Sequence, residues 1–190
     1  MMETGDAIGV IELASIYKGY HVQDEVLKAA NVQKLVARSI CSGKYLMIVR
    51  GAVADVEIAI NTAREVGGFS VVNLTVIPRV DPRVFPAIAG TISLETNSGQ
   101  KVGAMLILET FSVASAIKAA DAAVKEADLD LVRVHVAMAI GGKGIVVMTG
   151  DVAPLEAAVN PAVDAIKEDG MLAGYVLIRN PHEDVLRELI

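Results

Sequence analysis

The sequence predicts an α+β chain made of two tandem copies of one module, and three features carry that reading. Gly43-Lys44 opens an apolar run that ends at Gly51, and Gly142-Lys143 opens a matching run that ends at Gly150. Downstream, Val53-Ala54-Asp55-Val56-Glu57 stands against Val152-Ala153-Pro154-Leu155-Glu156. Upstream, Asp24 and Lys28 with Ala30-Asn31-Val32 stand against Asp121 and Lys125 with Ala127-Asp128-Leu129. Between the halves, Glu95-Thr96-Asn97-Ser98-Gly99-Gln100-Lys101 is polar and turn-rich and reads as a surface linker. The predicted domains are therefore 1–94 and 102–190, joined by 95–101.

Each half spells the same order. In the first, Ala7 to Leu13 is an apolar strand, and Ser15 is placed to cap a helix running to about Ala30. Lys34 to Ile40 and Tyr45 to Val49 are strands joined through Cys41-Ser42-Gly43-Lys44, a tight turn in which glycine supplies the unusual backbone angles. A helix from about Ala52 to Val66 is stopped by Gly67-Gly68, and Val71 to Ile77 closes the half as a strand. The second half repeats this as Val102 to Leu108, Ser112 to Ala127, Leu131 to Ala139, Ile145 to Thr149, Val152 to Glu168 and Ala173 to Arg179, with Pro181 to Ile190 as a closing helix. The order β-α-β-β-α-β gives a four-stranded antiparallel sheet with two helices on one face, the ferredoxin-like arrangement. The open sheet face left in each half calls for burial against neighbours.

Composition points the same way. Apolar residues make up 53% of the 190, mean hydropathy is +0.50, and with no Trp and 4% aromatics the core must be Ala, Val, Ile and Leu. So apolar a chain is expected to bury surface between subunits as well as inside each one. A formal charge of −6, with no run of Lys and Arg, excludes a nucleic-acid partner. The N-terminal Met1-Met2-Glu3-Thr4-Gly5-Asp6 lacks the basic-then-apolar pattern of a signal peptide. Val134 to Ile140 contains His135 and stops at Gly141-Gly142-Lys143, well short of the roughly 20 residues of a membrane span. A cytosolic location follows. The single cysteine rules out an intrachain disulfide and any multi-cysteine cage within one chain.

Few residues carry chemistry. Lys44 and Lys143 follow glycines, but Tyr45 and Gly144 come next and the context is strand to strand, so neither is a phosphate-binding loop. Each reads as a solvated turn lysine, or as one of a set ringing a common axis. His21, His135 and His182 show no metal-ligand spacing and read as structural. Glu12 and Glu109 end equivalent first strands, which suggests pairing with the helix starts rather than an acid/base couple. Cys41 has two readings. A lone Cys beside a strand is usually a core filler, yet this one sits at a turn with Lys44 nearby, where it is accessible. One thiolate cannot hold an iron–sulfur cluster, whereas three from three copies on one axis would supply most of a cubane's four ligands.

The repeated strand, helix, strand, Gly-Lys turn, apolar strand and Gly resembles the bacterial microcompartment (BMC) shell domain in tandem, over nearly the whole chain. Ser39-Ile40-Cys41-Ser42-Gly43-Lys44, Leu131-Val132-Arg133-Val134-His135 and Gly141-Gly142-Lys143 resemble the T-type shell subunit of propanediol-utilisation compartments. The resemblance implies a homotrimer of six domains forming a flat pseudohexagonal tile. It implies one 4Fe-4S cluster per trimer, held by Cys41 of each copy at the central opening. Ser42, Gly43, Lys44, Gly141, Gly142 and Lys143 would line that opening. The family often has Pro after this Cys, where this chain has Ser42. Lys28 and Lys125 match the lysine at the tile edge, with Arg79 and Arg179 as companions.

The implied function is a shell protein, not an enzyme, located in the microcompartment shell. Its cluster would pass electrons across the shell, and its partners would be other shell proteins and encapsulated redox enzymes. One rival is the same tile without a cluster, its central pore passing small metabolites. The other is a trimeric ferredoxin-like sensor binding a small ligand between subunits.

Overall fold

The computed structural model describes residues 5–90, 102–136 and 140–189, with the side chains of Ser42, Glu188 and Leu189 left aside. The linker expected at 95–101 and the last residues of the strand expected to reach Ala139 lie outside the described residues.

The first half forms β1 (Ala7–Leu13), α1 (Ile16–Ala29), β2 (Gln33–Ile40), β3 (Lys44–Gly51), α2 (Val53–Gly67) and β4 (Val71–Ile77), followed by α3 (Val84–Ala89). The second forms β5 (Ala104–Thr110), α4 (Val113–Glu126), β6 (Asp130–Val136), β7 (Gly144–Gly150), α5 (Val152–Lys167), β8 (Leu172–Arg179) and α6 (Glu183–Leu189). The sheets run β2-β3-β1-β4 and β6-β7-β5-β8, and every pairing is antiparallel. This is the α+β module the repeat predicts, twice over.

Local signals explain most boundaries. Ser15 and Ser112 hold extended backbone before α1 and α4, and each hydroxyl accepts from the amide three residues on. Gly68 ends α2 with φ 51°. Strand β5 begins two residues later than Val102, because its register is set by Ala104 opposite Gly150 on β7. Sequence patterning gives no sign of α3, which contains Pro86. A proline in a first turn costs nothing, since the amides there have no intrahelical partner.

In the first half, Ile11, Leu13, Tyr45 and Met47 from the sheet meet Val22, Val26, Val56, Ala59, Ile60 and Ala63 from α1 and α2. Full burial of one such large aliphatic side chain is worth about 1.5–3 kcal/mol. The repeat solves one packing problem in two ways. A Cβ on Gly19 of α1 would lie 2.1 Å from the Tyr45 ring, and at the equivalent places stand Ala116 and Gly144, where a Cβ on Gly144 would lie 2.4 Å from that of Ala116. A large residue on the strand is matched by none on the helix, and the second half reverses the allotment.

The chain divides into two compact units, Met1–Val80 with Ala137–Gly142, and Asp81–Val136 with Lys143–Ile190. Helix α3 thus belongs with α4 and β6, which it packs against. The Asp81 amide donates to Asp121 Oδ1 over 2.8 Å, Arg83 pairs with Asp81 at 2.9 Å, and Arg83 also donates to the Val124 carbonyl. The Arg83 hydrogen bonds hold the Asp81 carboxyl below the usual carboxylate range.

Candidate functional site

The β2–β3 and β6–β7 connections differ by two residues. Ser39 pairs with Tyr45 across five intervening residues, and Val136 pairs with Gly144 across seven. In the shorter one, Cys41–Gly43 form a single 3-10 turn, and Gly43 takes φ 73°, a left-handed angle that favours glycine. Cys41 is a free, exposed cysteine. Of its two readings the core filler is therefore the one the structure rejects. In the longer connection Gly141 and Gly142 hold φ 66° and 85°.

Behind each turn lies an acid and a lysine. Glu12 on β1 sits buried between β3 and β4, with Leu46 on one side and Asn73 on the other. Its carboxyl bonds the Asn73 side chain and feels the charge of Lys44, but Oε1 has no hydrogen-bond partner. Burial dominates and pushes the carboxyl above its ordinary range, with Lys44 and Asn73 pulling the other way. The equivalent Glu109 is more open. It pairs with Lys143 at 2.8 Å, and the Lys143 ammonium also stands 5.4 Å from the centre of the Phe111 ring. Gly174 takes the place of Asn73 beside Glu109, so no neighbouring amide competes for that carboxylate.

These contacts correct the expectation that Glu12 and Glu109 pair with the helix starts. Both face the lysine that follows the turn glycine, because the strand register puts β1 next to β3 and β5 next to β7. Asn73 and Phe111 were not anticipated. The cross-strand register identifies Asn73, and the approach of the Lys143 ammonium to its ring identifies Phe111.

Of the edge residues, Lys28 is exposed and engages Asp24 at 2.5 Å and Glu25 at 3.3 Å. Lys125 engages Asp121 at 2.6 Å, the same carboxylate that takes the Asp81 amide. Arg79 and Arg179 are not equivalent. Ile77 and Ile178 hold the same place in β4 and β8, so Arg79 matches Asn180, and these two share φ values of 52° and 50°. Arg179 ends β8 and pairs with Glu156. His182 Nδ1 accepts from the Asp184 amide at the start of α6, and His135 lies half-buried opposite Ile145.

Among the described residues no group of three or more His, Cys, Asp or Glu is placed to hold a metal ion, so one chain offers a cluster a single thiolate. An exposed thiol at a turn suits a shared site, with each copy giving one sulfur, and does not suit a site within the chain. Among the described residues no helix is long and apolar enough to cross a membrane.

Comparison with known proteins places these features. The BMC domain family matches residues 7–80 and again 104–181. The bacterial microcompartment shell protein PduT of Citrobacter freundii is 43% identical over 184 residues, covering 97% of both chains. The carboxysome assembly protein CcmO of a Synechococcus strain is 30% identical, over 96% of this chain and 68% of its own. Among solved structures, a microcompartments protein from Desulfitobacterium hafniense superposes with a TM-score of 0.88 at 39% identity, covering 95% of this chain and 98% of the other.

Proposed function

The chain belongs to the BMC-domain family of bacterial microcompartment shell proteins, and from that premise we propose that three copies form a tile whose Cys41 thiolates together hold one 4Fe-4S cluster. It is a structural protein, as its relatives are, rather than an enzyme. The observation that carries the cluster is the exposure of the lone Cys41 on a glycine-turned connection, ahead of Lys44. A soft ligand turned to solvent has no packing role in its own module, and threefold multiplication makes it a cluster ligand set.

When bound, the cluster supplies reversible one-electron chemistry, and the tile would carry that electron between the two sides of the shell. The chain's own residues supply the surroundings. The Gly43 turn keeps Cys41 at the surface, Lys44 places positive charge beside the turn, and the buried Glu12 tempers that charge from below. In the second half Glu109 and Phe111 hold Lys143, so the two sets of turns would offer unequal charge to the central opening. Lys28 and Lys125, with Arg79 and Arg179, would meet neighbouring shell proteins at the tile edge.

Protein purified without oxygen should be brown, with broad visible absorbance and iron and acid-labile sulfide near four of each per trimer, and Cys41→Ser should be colourless. A colourless, iron-free wild type after anaerobic reconstitution would instead leave a tile with an open pore for small metabolites.

A further inference from the structure

The two halves place the same acid behind the same turn, yet they bond it differently, and the difference falls in the half that carries Cys41. Glu12 is 6% exposed and lies in a row across the first sheet, with Asn73 of β4 on one side and Leu46 of β3 on the other. The Thr75 hydroxyl donates to Asn73 Oδ1 over 3.0 Å, which turns the Asn73 amide nitrogen to the Glu12 carboxyl. One carboxyl oxygen is thereby held, and Oε1 is buried with no hydrogen-bond partner. An oxygen in that position is costly as part of an anion and costs least when it carries a proton. Glu109 differs at each point. It is open to solvent, pairs with Lys143 at 2.8 Å, and has Gly174 where Glu12 has Asn73.

The charges that face Glu12 are few. On β4, Val71–Ile77 has no ionisable side chain, on β3 the nearest is Lys44, and across Leu46 on β2 stands Arg38. Helices α1 and α2 pack on the opposite face through Ile11 and Leu13, so their charges lie across the sheet from Glu12. Register supplies the distance to the turn. Lys44 lies two residues from Leu46 along β3 and pairs with Ile40, next to Cys41, so Glu12 and Cys41 are about 12 Å apart at strand spacings. One negative charge added at that distance raises the proton affinity of a carboxylate about tenfold at an effective dielectric of about 20.

We propose that Glu12 is the proton-accepting group of the Cys41 centre: when that centre receives an electron, a proton from water binds Glu12 Oε1, so that reduction is linked to pH through the first half alone. The electron comes from an external reductant, which is oxidised, and no bond of the chain breaks. The added proton offsets the added negative charge, and Lys44 stands between the two sites. Glu109, engaged by Lys143, takes no part. This inference rests on the reading that Cys41 holds a cluster.

Reductive titrations of the reconstituted protein, followed by electron paramagnetic resonance between about pH 5 and 9, test it. The wild-type midpoint potential should fall as pH rises through the interval that burial sets above the ordinary carboxylate range, by about 59 mV for each coupled Glu12, which is that tenfold change for one electron. Glu12→Gln should be level throughout, and Glu109→Gln should keep the wild-type fall. Asn73→Ala, which removes the donor to the charged carboxylate, should move the fall to higher pH. A fall that survives in Glu12→Gln, or a loaded wild type with no fall, overturns the proton link and leaves the cluster standing. A second readout needs no metal. The carbon-13 resonance of the Glu12 carboxyl in iron-free protein should titrate above the ordinary carboxylate range, and titration within that range overturns the link whatever the iron content. Protein that stays colourless after anaerobic reconstitution overturns the cluster reading and the link with it.

Discussion

Glu12 and Gly19 are the residues whose surroundings decide most. Burial raises the Glu12 pKa above its unfolded value against the pull of Lys44 and Asn73. The sign is that of a group disfavoured when charged. Its stabilising share is fully present below the unfolded pKa and is lost as pH rises through the folded one. Glu12→Gln should therefore gain stability over wild type as pH rises from the acid range to neutrality, and the gap should close in acid. Denaturant titrations at several pH values check this, and a constant gap would count against a buried carboxylate. Gly19 is fixed by size rather than charge. Gly19→Ala drives a methyl into Tyr45 and should cost about 1–3 kcal/mol. At about 2–4 °C per kcal/mol for a chain of this length, the loss is readable by calorimetry. Neither demand was legible in the sequence. Glu12 reads as a polar end to an apolar strand, and only the register shows it enclosed between Leu46 and Asn73. Cys41 was legible only as two readings, core filler or accessible turn residue, and its exposure beside the Gly43 turn decides between them.

Helices and strands were legible wherever caps and period agree. Ser15 and Ser112 mark starts, Gly68 marks a stop, and the strand runs of β1 and β4 are found at the residues their apolar patterning names. Helix α3 was not, since six residues give too little period and two nearby prolines suggest a loop. What makes α3 stable is tertiary. Arg83 joins Asp81 to the carbonyl at the end of α4, and Asp121 takes the Asp81 amide. Arg83→Ala should loosen this segment by about 1 kcal/mol, given that the guanidinium is partly exposed. Because Asp81 is held at a lowered pKa, its contribution is present above the unfolded carboxylate range and lost as pH falls through the folded value. The Arg83→Ala deficit should accordingly shrink in acid, with amide exchange along α3 and the end of α4 as its local readout. A deficit that does not change with pH would mean that the Val124 carbonyl contact, not the ion pair, dominates.

For the whole molecule the decisive quantity is the apolar surface each chain leaves in water. Tandem repetition predicts that every module is covered alike, and helix α4 of the second unit shows what a covered helix looks like. The equivalent α1 of the first unit leaves Ile16, Tyr17, Tyr20 and Leu27 open, and on β8 of the second unit Tyr175 and Val176 are open as well. A patch of this kind is stable in water only when a partner removes it. Assembly as proposed would contribute to folding, and mass action would appear in the melting temperature. For a trimer, each tenfold rise in protein concentration adds about 1 kcal/mol per chain, hence about 2–4 °C. Calorimetry over a hundredfold dilution separates this concentration dependence from a module defect such as Gly19→Ala, whose deficit persists at every concentration. A melting temperature independent of concentration would show that the open α1 face needs no partner, and would remove the physical ground for a ring.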